Sequence, residues 1–217
     1  MIYPLPGSHA SHPRSGTRGL WVLLPVAGSF LFIVLYIVAA SLFPGGSQAD
    51  VHSKSFSWQH NYWCNLLNET AINGEHNRGR YAAIAAMAVL IITLLSFWII
   101  SARLLQTSKV ARIVILFSGL LSMALLPFLS TSLHDAIINS SGFLGLVAIA
   151  GVYMGIYRSK WYGLFILGII NLLLVVLNNY IYHFGDTLYL LPVVQKITFL
   201  SFLTWVCLIN LKLYLRW

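Results

Sequence analysis

The sequence predicts an all-α polytopic membrane protein, a bundle of six transmembrane helices with both termini cytoplasmic. Of its 217 residues, 59% are hydrophobic and only 8% are charged, an apolar share above that of soluble domains. The apolar residues come in runs of about 20, the length that a helix needs to cross a hydrocarbon core of about 30 Å. The runs lack the alternation of a lipid-spanning strand, so helices are the predicted spanning elements.

Six runs are long enough to span. We expect them at about 20–43, 81–102, 113–130, 133–157, 161–182 and 190–211. The first run follows 19 mostly polar residues and is longer than the apolar region of about 7–15 residues in a cleaved signal peptide. We therefore expect a cytoplasmic N-terminal segment, 1–19, followed by a single membrane domain, 20–217.

The distribution of charge predicts the orientation of the helices. Nine of the thirteen Lys and Arg residues fall on one side, which the positive-inside rule makes cytoplasmic: Arg14, Arg18, Arg103, Lys109, Arg112, Arg158, Lys160, Lys212 and Arg216. All five acidic residues fall on the opposite side. The net charge of +8 is therefore a topology signal, and with no soluble basic domain it does not predict nucleic acid as a partner.

The one long connection lies on the outer face, at 44–80. It begins within F-P-G-G at residues 43–46, a turn signal that ends the first helix. Trp58, Tyr62 and Trp63 suit a segment lying at the membrane interface. We expect this loop to cap the outer ends of the helices.

A polar stretch, S-T-S-L-H-D-A-I-I-N-S-S-G at residues 130–142, interrupts the apolar sequence. Ser132 and Asp135 match a capping box that starts the fourth helix near Leu133, but capping does not explain His134 or Asn139. On a helix, these side chains form a polar face that extends two turns inward. Such a face lines a bundle interior or a wet cavity, or makes hydrogen bonds between helices. Both interpretations stay open.

Other polar residues are predicted on the same side. The end of the fifth helix and the outer loop supply Asn178, Asn179, His183, His60, Asn61, His76 and Arg80. We expect a pocket built from His134, Asp135 and Asn139, faced by the fifth helix and covered by the loop. Arg80 would bind an anionic head group there.

The histidines also raise the question of a metal. His60, His76, His134 and His183 would be enough for a zinc site with an open water position, although each comes from a separate segment. A Ser–His–Asp triad is disfavoured, because adjacent residues on a helix, His134 and Asp135, point about 100° apart. The two cysteines are predicted in different layers and therefore as free thiols.

Several short motifs carry a family resemblance. They are F-P-G-G at 43–46, N-Y-W-C-N-L-L-N at 61–68, the Asn77 to Ala83 run, and L-H-D at 133–135. Over most of residues 20–211 the chain resembles the bacterial six-helix family called domain of unknown function 998. That family is distantly similar in layout to the Frag and damage-regulated autophagy modulator group, some of whose members act in lipid remodelling of membrane-anchored proteins.

The resemblance implies six helices, cytoplasmic termini, a bacterial inner membrane and an outward polar site that includes His134 and Asp135. It supplies no reaction. The chain departs from the seven-helix alkaline-ceramidase and adiponectin-receptor zinc hydrolases, because its last span lacks histidine. The leading hypothesis is binding or modification of a membrane lipid or lipid-linked head group. The alternative is a non-catalytic protein that carries a small solute or binds another membrane protein.

Overall fold

Six long helices make up the membrane domain. The computed structural model describes residues 19–130, 133–184 and 187–216, without the side chains of residues 129, 130 and 134. Within these residues the α-helices are α1 (Leu24–Ser41), α2 (Arg80–Leu104), α3 (Lys109–Leu125), α4 (His134–Arg158), α5 (Tyr162–Phe184) and α6 (Leu191–Arg216). Short 3-10 turns occupy Leu20–Leu23, Trp63–Leu67, Leu126–Ser130 and Leu188–Leu190. Most of the predicted N-terminal segment, and the predicted cap Ser132, lie outside the described residues.

The six-helix prediction is confirmed. The described chain contains six helices that are long and apolar enough to cross a membrane, as a multi-pass membrane protein requires. Local sequence fixes where helices begin and end. Pro25 lies in the first turn of α1, where its missing N–H costs nothing, and the Ser108 hydroxyl accepts a hydrogen bond from the Ala111 amide at the start of α3.

The helices define two faces of the bundle. The end that carries the connection 42–79 and the start of α4 is called the loop face. The opposite end, with connections 105–108 and 159–161, is called the basic face. Helix α2 lies centrally and contacts α1, α3, α4 and α6, whereas α5 packs chiefly on α6 and much less on α4. The contact between α4 and α5 is therefore the loosest between consecutive helices.

Aromatic side chains fill the centre of the bundle. Trp98 of α2 and Trp205 of α6 are almost completely buried. The Trp205 indole N–H donates to the carbonyl of Leu164 across 2.7 Å, and the Tyr153 hydroxyl donates to the carbonyl of Gly168. The polar tips of Trp205 and Tyr153 thus find backbone acceptors inside the helix packing, whereas the Trp98 Nε1 atom is buried without a partner among the described residues.

The connection 42–79 packs as a cap on the loop face. Asn61 is completely buried, and its side chain donates to the Gly46 carbonyl (2.9 Å) and accepts from the Ser57 amide (2.7 Å). Gly46 has φ of +80°, and a Cβ there would lie 2.3 Å from the Asn73 nitrogen. Only glycine fits such a position without strain. The F-P-G-G turn thus sets the course of the cap.

A second buried asparagine holds the return of the cap to α2. The Asn77 side chain donates to the carbonyls of Leu66 and Asn68, each at 2.9 Å, and accepts from the Gly79 amide at 3.0 Å. Backbone groups that would be orphaned under the loop are thereby satisfied. The cap is consequently an ordered part of the fold.

Candidate functional site

A cavity of about 670 Å³ lies beneath the cap. We call it the cap cavity. Its lining comes from α1, α2, α4, α6 and the cap, and includes Tyr36, Trp63, Cys64, Glu69, Arg80, Gln195 and Phe199. The cavity therefore combines aromatic walls with charged and polar groups from the loop face.

One ion pair marks the cap cavity. Arg80, the first residue of α2, places its Nη1 atom 3.2 Å from Oε2 of Glu69 in the cap. Because the two side chains are partly exposed, the pair itself adds little to stability. The Arg80 Nε atom is buried and has no hydrogen-bond partner among the described residues. The guanidinium keeps an unused donor beside the cavity.

A second cavity, of about 580 Å³, lies deeper between α2, α3, α4, α5 and α6. We call it the bundle cavity. Its walls are mainly apolar, with polar groups from Asn139, Tyr153, Asn171, Asn178, Asn179, Gln195 and Thr198. Ile138, Gln195 and Phe199 line both cavities. The cap and bundle cavities therefore adjoin.

Unsatisfied amides distinguish the bundle cavity. Asn171, midway along α5, is 5% exposed, and neither its Nδ2 nor its Oδ1 atom has a partner among the described residues. The buried Oε1 atom of Gln195 is also without one. Burying such a group unpaired costs about 1–3 kcal/mol. A bound molecule with hydroxyl, ester or amide groups would remove that cost.

Three of the sequence-predicted residues meet at the bundle cavity. Asn139 and Asn179 are exposed side chains on α4 and α5. Asn178 is half-buried, and its amide donates to the Leu174 carbonyl and to the Thr198 hydroxyl of α6. The structure thus brings Asn139, Asn178 and Asn179 to one cavity, where Asn178 also joins α5 to α6.

The bundle cavity is open at the surface between α4 and α5. Its lining there includes exposed Asn139, Gly142 and Phe143 on α4, together with exposed Asn179 on α5. The sparse contact between these two helices leaves the gap. An acyl chain could enter from the side of the bundle, because this surface belongs to spanning helices.

Neither cavity is lined by four other predicted residues, His60, Asn61, His76 and His183. His183 is exposed, with its ring 5.1 Å from that of Tyr182. His76 is exposed in the cap, and His60 is half-buried with Nδ1 3.2 Å from the Ser57 hydroxyl. Asn61 is structural, as described above. Arg80 alone of the predicted loop residues lines a cavity.

The start of α4 is only partly described. His134 is the first residue of the helix, and its side chain lies outside the described residues. Asp135 is exposed in the first turn, where the helix dipole favours a carboxylate. The predicted roles of His134 and Asp135 in a pocket stay predictions.

Within the described part of the chain, no three His, Cys, Asp or Glu side chains are grouped closely enough to hold a metal ion. The zinc hypothesis for His60, His76, His134 and His183 therefore gains no geometric support from those residues. Cys64 and Cys207 are free thiols. Burial raises the pKa of the Cys64 thiol, which keeps it protonated near neutral pH and weakens it as a nucleophile.

Sequence reasoning missed a polar pair on α6. Lys196 is only 7% exposed, and its ammonium donates to the backbone carbonyls of Asn61 and Pro192. Its Nζ atom also lies 5.7 Å from the centre of the Phe56 ring. An ionisable residue inside an apolar run is a candidate for a functional or structural role. The charge of Lys196 was therefore the sequence signal that could have drawn attention to Gln195 and Lys196. Lys196 ties the cap to α6, and Gln195 lines both cavities.

Comparisons with protein-family models, curated proteins and solved structures give no match to this chain. The resemblance to domain of unknown function 998 therefore stays a prediction from short motifs. The cavities and the polar side chains that line them are therefore the features that bear on function.

Proposed function

We propose that this multi-pass membrane protein binds a lipid or lipid-linked molecule in the adjoining cap and bundle cavities. The observation that carries the proposal is Asn171, a buried amide in the lining of a mainly apolar cavity, with both polar atoms unpartnered among the described residues. Polar groups at membrane depth are costly unless they are used. An amphiphilic ligand would use the amide and the apolar walls together.

The two cavities suit the two parts of such a ligand. In the cap cavity, Arg80 and Glu69 form an ion pair, whose N–H donors and carboxylate acceptor suit the hydroxyl groups of a polar sugar head group. In the bundle cavity, Asn171 and Gln195 would bind ester, hydroxyl or amide groups. Acyl chains would leave between α4 and α5, where exposed Phe143 lines the opening.

The proposal includes an orientation. The excess of Lys and Arg on the basic face would place that face, and both termini, in the cytoplasm. The cap would then lie on the outer side of a bacterial inner membrane, as the resemblance to domain of unknown function 998 implies. A ligand would reach the cavities from the outer leaflet.

Binding is favoured over transport. A carrier needs a polar path to both faces, but the bundle cavity ends at the large rings of Trp98, Tyr153 and Trp205 towards the basic face. Trp98 and Trp205 are almost completely buried. A modifying reaction would need groups beyond the Cys64 thiol, whose raised pKa makes it a weak nucleophile.

The test replaces the amide of Asn171. In Asn171→Leu the cavity keeps its size and loses its polar group. Protein purified in mild detergent is analysed by native mass spectrometry, and the retained lipid is extracted and identified. We expect Asn171→Leu to lose most of the retained ligand while its stability rises by about 1 kcal/mol, because an unpaired buried amide is removed.

Asn210→Leu is the matched control. Asn210 is a completely buried α6 asparagine with an unpartnered Oδ1 atom, yet it lines neither cavity. It should keep the ligand. Equal retention in the two variants would contradict the proposal, as would wild-type protein that retains no lipid. A co-purifying membrane protein in place of lipid would support the alternative of an accessory protein.

A further inference from the structure

A separate groove of about 950 Å³ lies on the basic face, between the start of α5 and the end of α6. We call it the basic groove. Its floor is apolar and its rim is cationic, with Leu167, Leu208, Lys160, Lys212 and Arg216 among its lining. It shares no lining residue with the cap or bundle cavity. Any function of the groove is independent of the proposed function above.

Two cations of the rim lie over one indole, and a third is its neighbour in the chain. Trp161 is 3% exposed. The Lys212 Nζ atom lies 5.3 Å from the centre of its ring, and the Arg216 Cζ atom lies 4.5 Å from it. Lys160 precedes Trp161 in the chain and lines the same groove. Stacking on an indole fixes long cationic side chains in place while their charges stay available.

These cations face no carboxylate among the described residues. Asp50, Glu69 and Glu75 belong to the cap, and Asp135 starts α4, so all four lie at the loop face. The ion pair between Arg80 and Glu69 is also at the loop face. Proximity to the C-terminal end of α6 would account for Lys212 and Arg216. The C-terminal end of α4 favours a cation at Lys160 in the same way.

Lys160 has an unusual backbone conformation. Its φ is +57°, the left-handed region. The Lys160 amide donates to the Tyr157 carbonyl (2.9 Å), and the Trp161 amide donates to the Ile156 carbonyl (3.2 Å). This is the Schellman arrangement that ends a helix, and glycine is its usual residue at that position. A lysine there costs stability, and in return it adds an exposed charge to the rim of the groove.

We infer that the basic groove binds an anionic phospholipid of the leaflet on that side. The phosphate would lie between Lys160, Lys212 and Arg216, where ammonium and guanidinium groups provide charge-assisted hydrogen bonds. The acyl chains would follow the leucines between α5 and α6. Basic pockets between spanning helices suit anionic head groups in this way.

The first test uses Lys160→Gly, which separates charge from backbone strain. Purified full-length protein in detergent is titrated with dioleoylphosphatidylglycerol or dioleoylphosphatidylcholine, and bound lipid is counted by native mass spectrometry. We expect phosphatidylglycerol to bind in preference. Lys160→Gly should weaken its binding about five-fold, the effect of one cation near a charged lipid. The same variant should unfold at a higher temperature, because glycine accepts the left-handed conformation.

Matched variants complete the design. Lys212→Gln with Arg216→Gln should weaken phosphatidylglycerol binding further than Lys160→Gly, whereas Arg112→Gln, an exposed charge at the start of α3 outside the groove, should leave it unchanged. The inference is overturned if Arg112→Gln reduces binding as much as Lys160→Gly, or if the two lipids bind equally. It is also overturned if soluble glycerol 3-phosphate displaces the lipid, since the ligand would then be a free phosphate.

Discussion

Buried asparagines serve two different purposes in the cap and in the bundle cavity. In the cap, Asn61 and Asn77 are fully buried and every hydrogen bond described for their side chains goes to backbone. In the bundle cavity, Asn171 is almost as deeply buried, and its side chain has no hydrogen-bond partner among the described residues. The residue type is the same, and the difference lies in whether the fold has already used its hydrogen-bonding groups.

Hydrogen-bond partners separate an amide that supports the fold from an amide that is available to a ligand. An amide satisfied by backbone contributes to folding and has nothing left for a ligand. An amide that lines a cavity with both polar atoms unpaired costs stability in the empty protein, and a ligand in the cavity would supply the missing partners. Cap formation is therefore the role of Asn61 and Asn77, whereas ligand binding is the role that we propose for Asn171.

The largest effect should come from Asn77→Ala. This change leaves two carbonyls and one amide under the cap without partners, and we expect a loss of about 3 kcal/mol in the free energy of unfolding. Titration with SDS in mixed micelles measures it. Asn73→Ala is the matched control, because the Asn73 side chain accepts a hydrogen bond from the Glu75 amide in an exposed contact. Similar losses of stability in the two variants would contradict the structural role assigned to the buried Asn77 side chain.

Two glycines, one in the cap and one at the bundle cavity, test the difference between these two regions. Gly46→Ala should destabilise the protein by about 2 kcal/mol, because its φ of +80° and the nearby Asn73 nitrogen exclude a side chain. Gly142→Ala, at the bundle cavity, should stabilise it by about 0.5–1 kcal/mol, since a Cβ there meets nothing within 4 Å and alanine favours the helix. Thermal unfolding of the two variants in one detergent gives the signs. Equal signs would contradict this account of the two regions.

The smallest effect should be seen in the titration of the Cys64 thiol, which reports how far water is excluded from the space under the cap. Burial raises the pKa of Cys64 above its ordinary value of 9.0, so the thiol form is favoured in the folded protein. Its contribution to stability is complete below pH 9 and is lost as the pH rises through the folded pKa. In a Cys207→Ser background, the rate of maleimide labelling should rise at higher pH for folded protein than for protein unfolded in SDS. Coincident pH profiles would show that Cys64 is hydrated.

Much of the fold could be predicted from the sequence because lipid imposes a simple requirement of length and apolarity. The number of helices follows from it. Helix ends were harder to predict: α6 continues to Arg216 and α3 begins at Lys109, beyond the apolar runs, because charged residues at helix ends remain helical outside the hydrocarbon core. Hydropathy records the membrane thickness and not the full helix.

The candidate site was predictable only in part. Helical spacing and membrane depth pointed to Asn139, Asn178 and Asn179, and these three line one cavity. No local sequence feature distinguishes these asparagines from Asn61, whose amide makes its hydrogen bonds within the cap. Gln195 was overlooked inside an apolar run, although it lines both cavities. Partner groups for each amide come from distant segments, so the sequence alone could not assign them.

The sequence by itself determined that this protein has six membrane-spanning helices, since a hydrocarbon layer accepts only segments whose backbone is satisfied internally and whose side chains are apolar. Only the tertiary structure determines which polar side chains have hydrogen-bond partners within the protein and which have none. Lys196 meets the Asn61 carbonyl from more than a hundred residues away, and Asn171 meets no partner among the described residues. Such outcomes depend on how helices and cap pack together, and hydropathy carries no information about that packing.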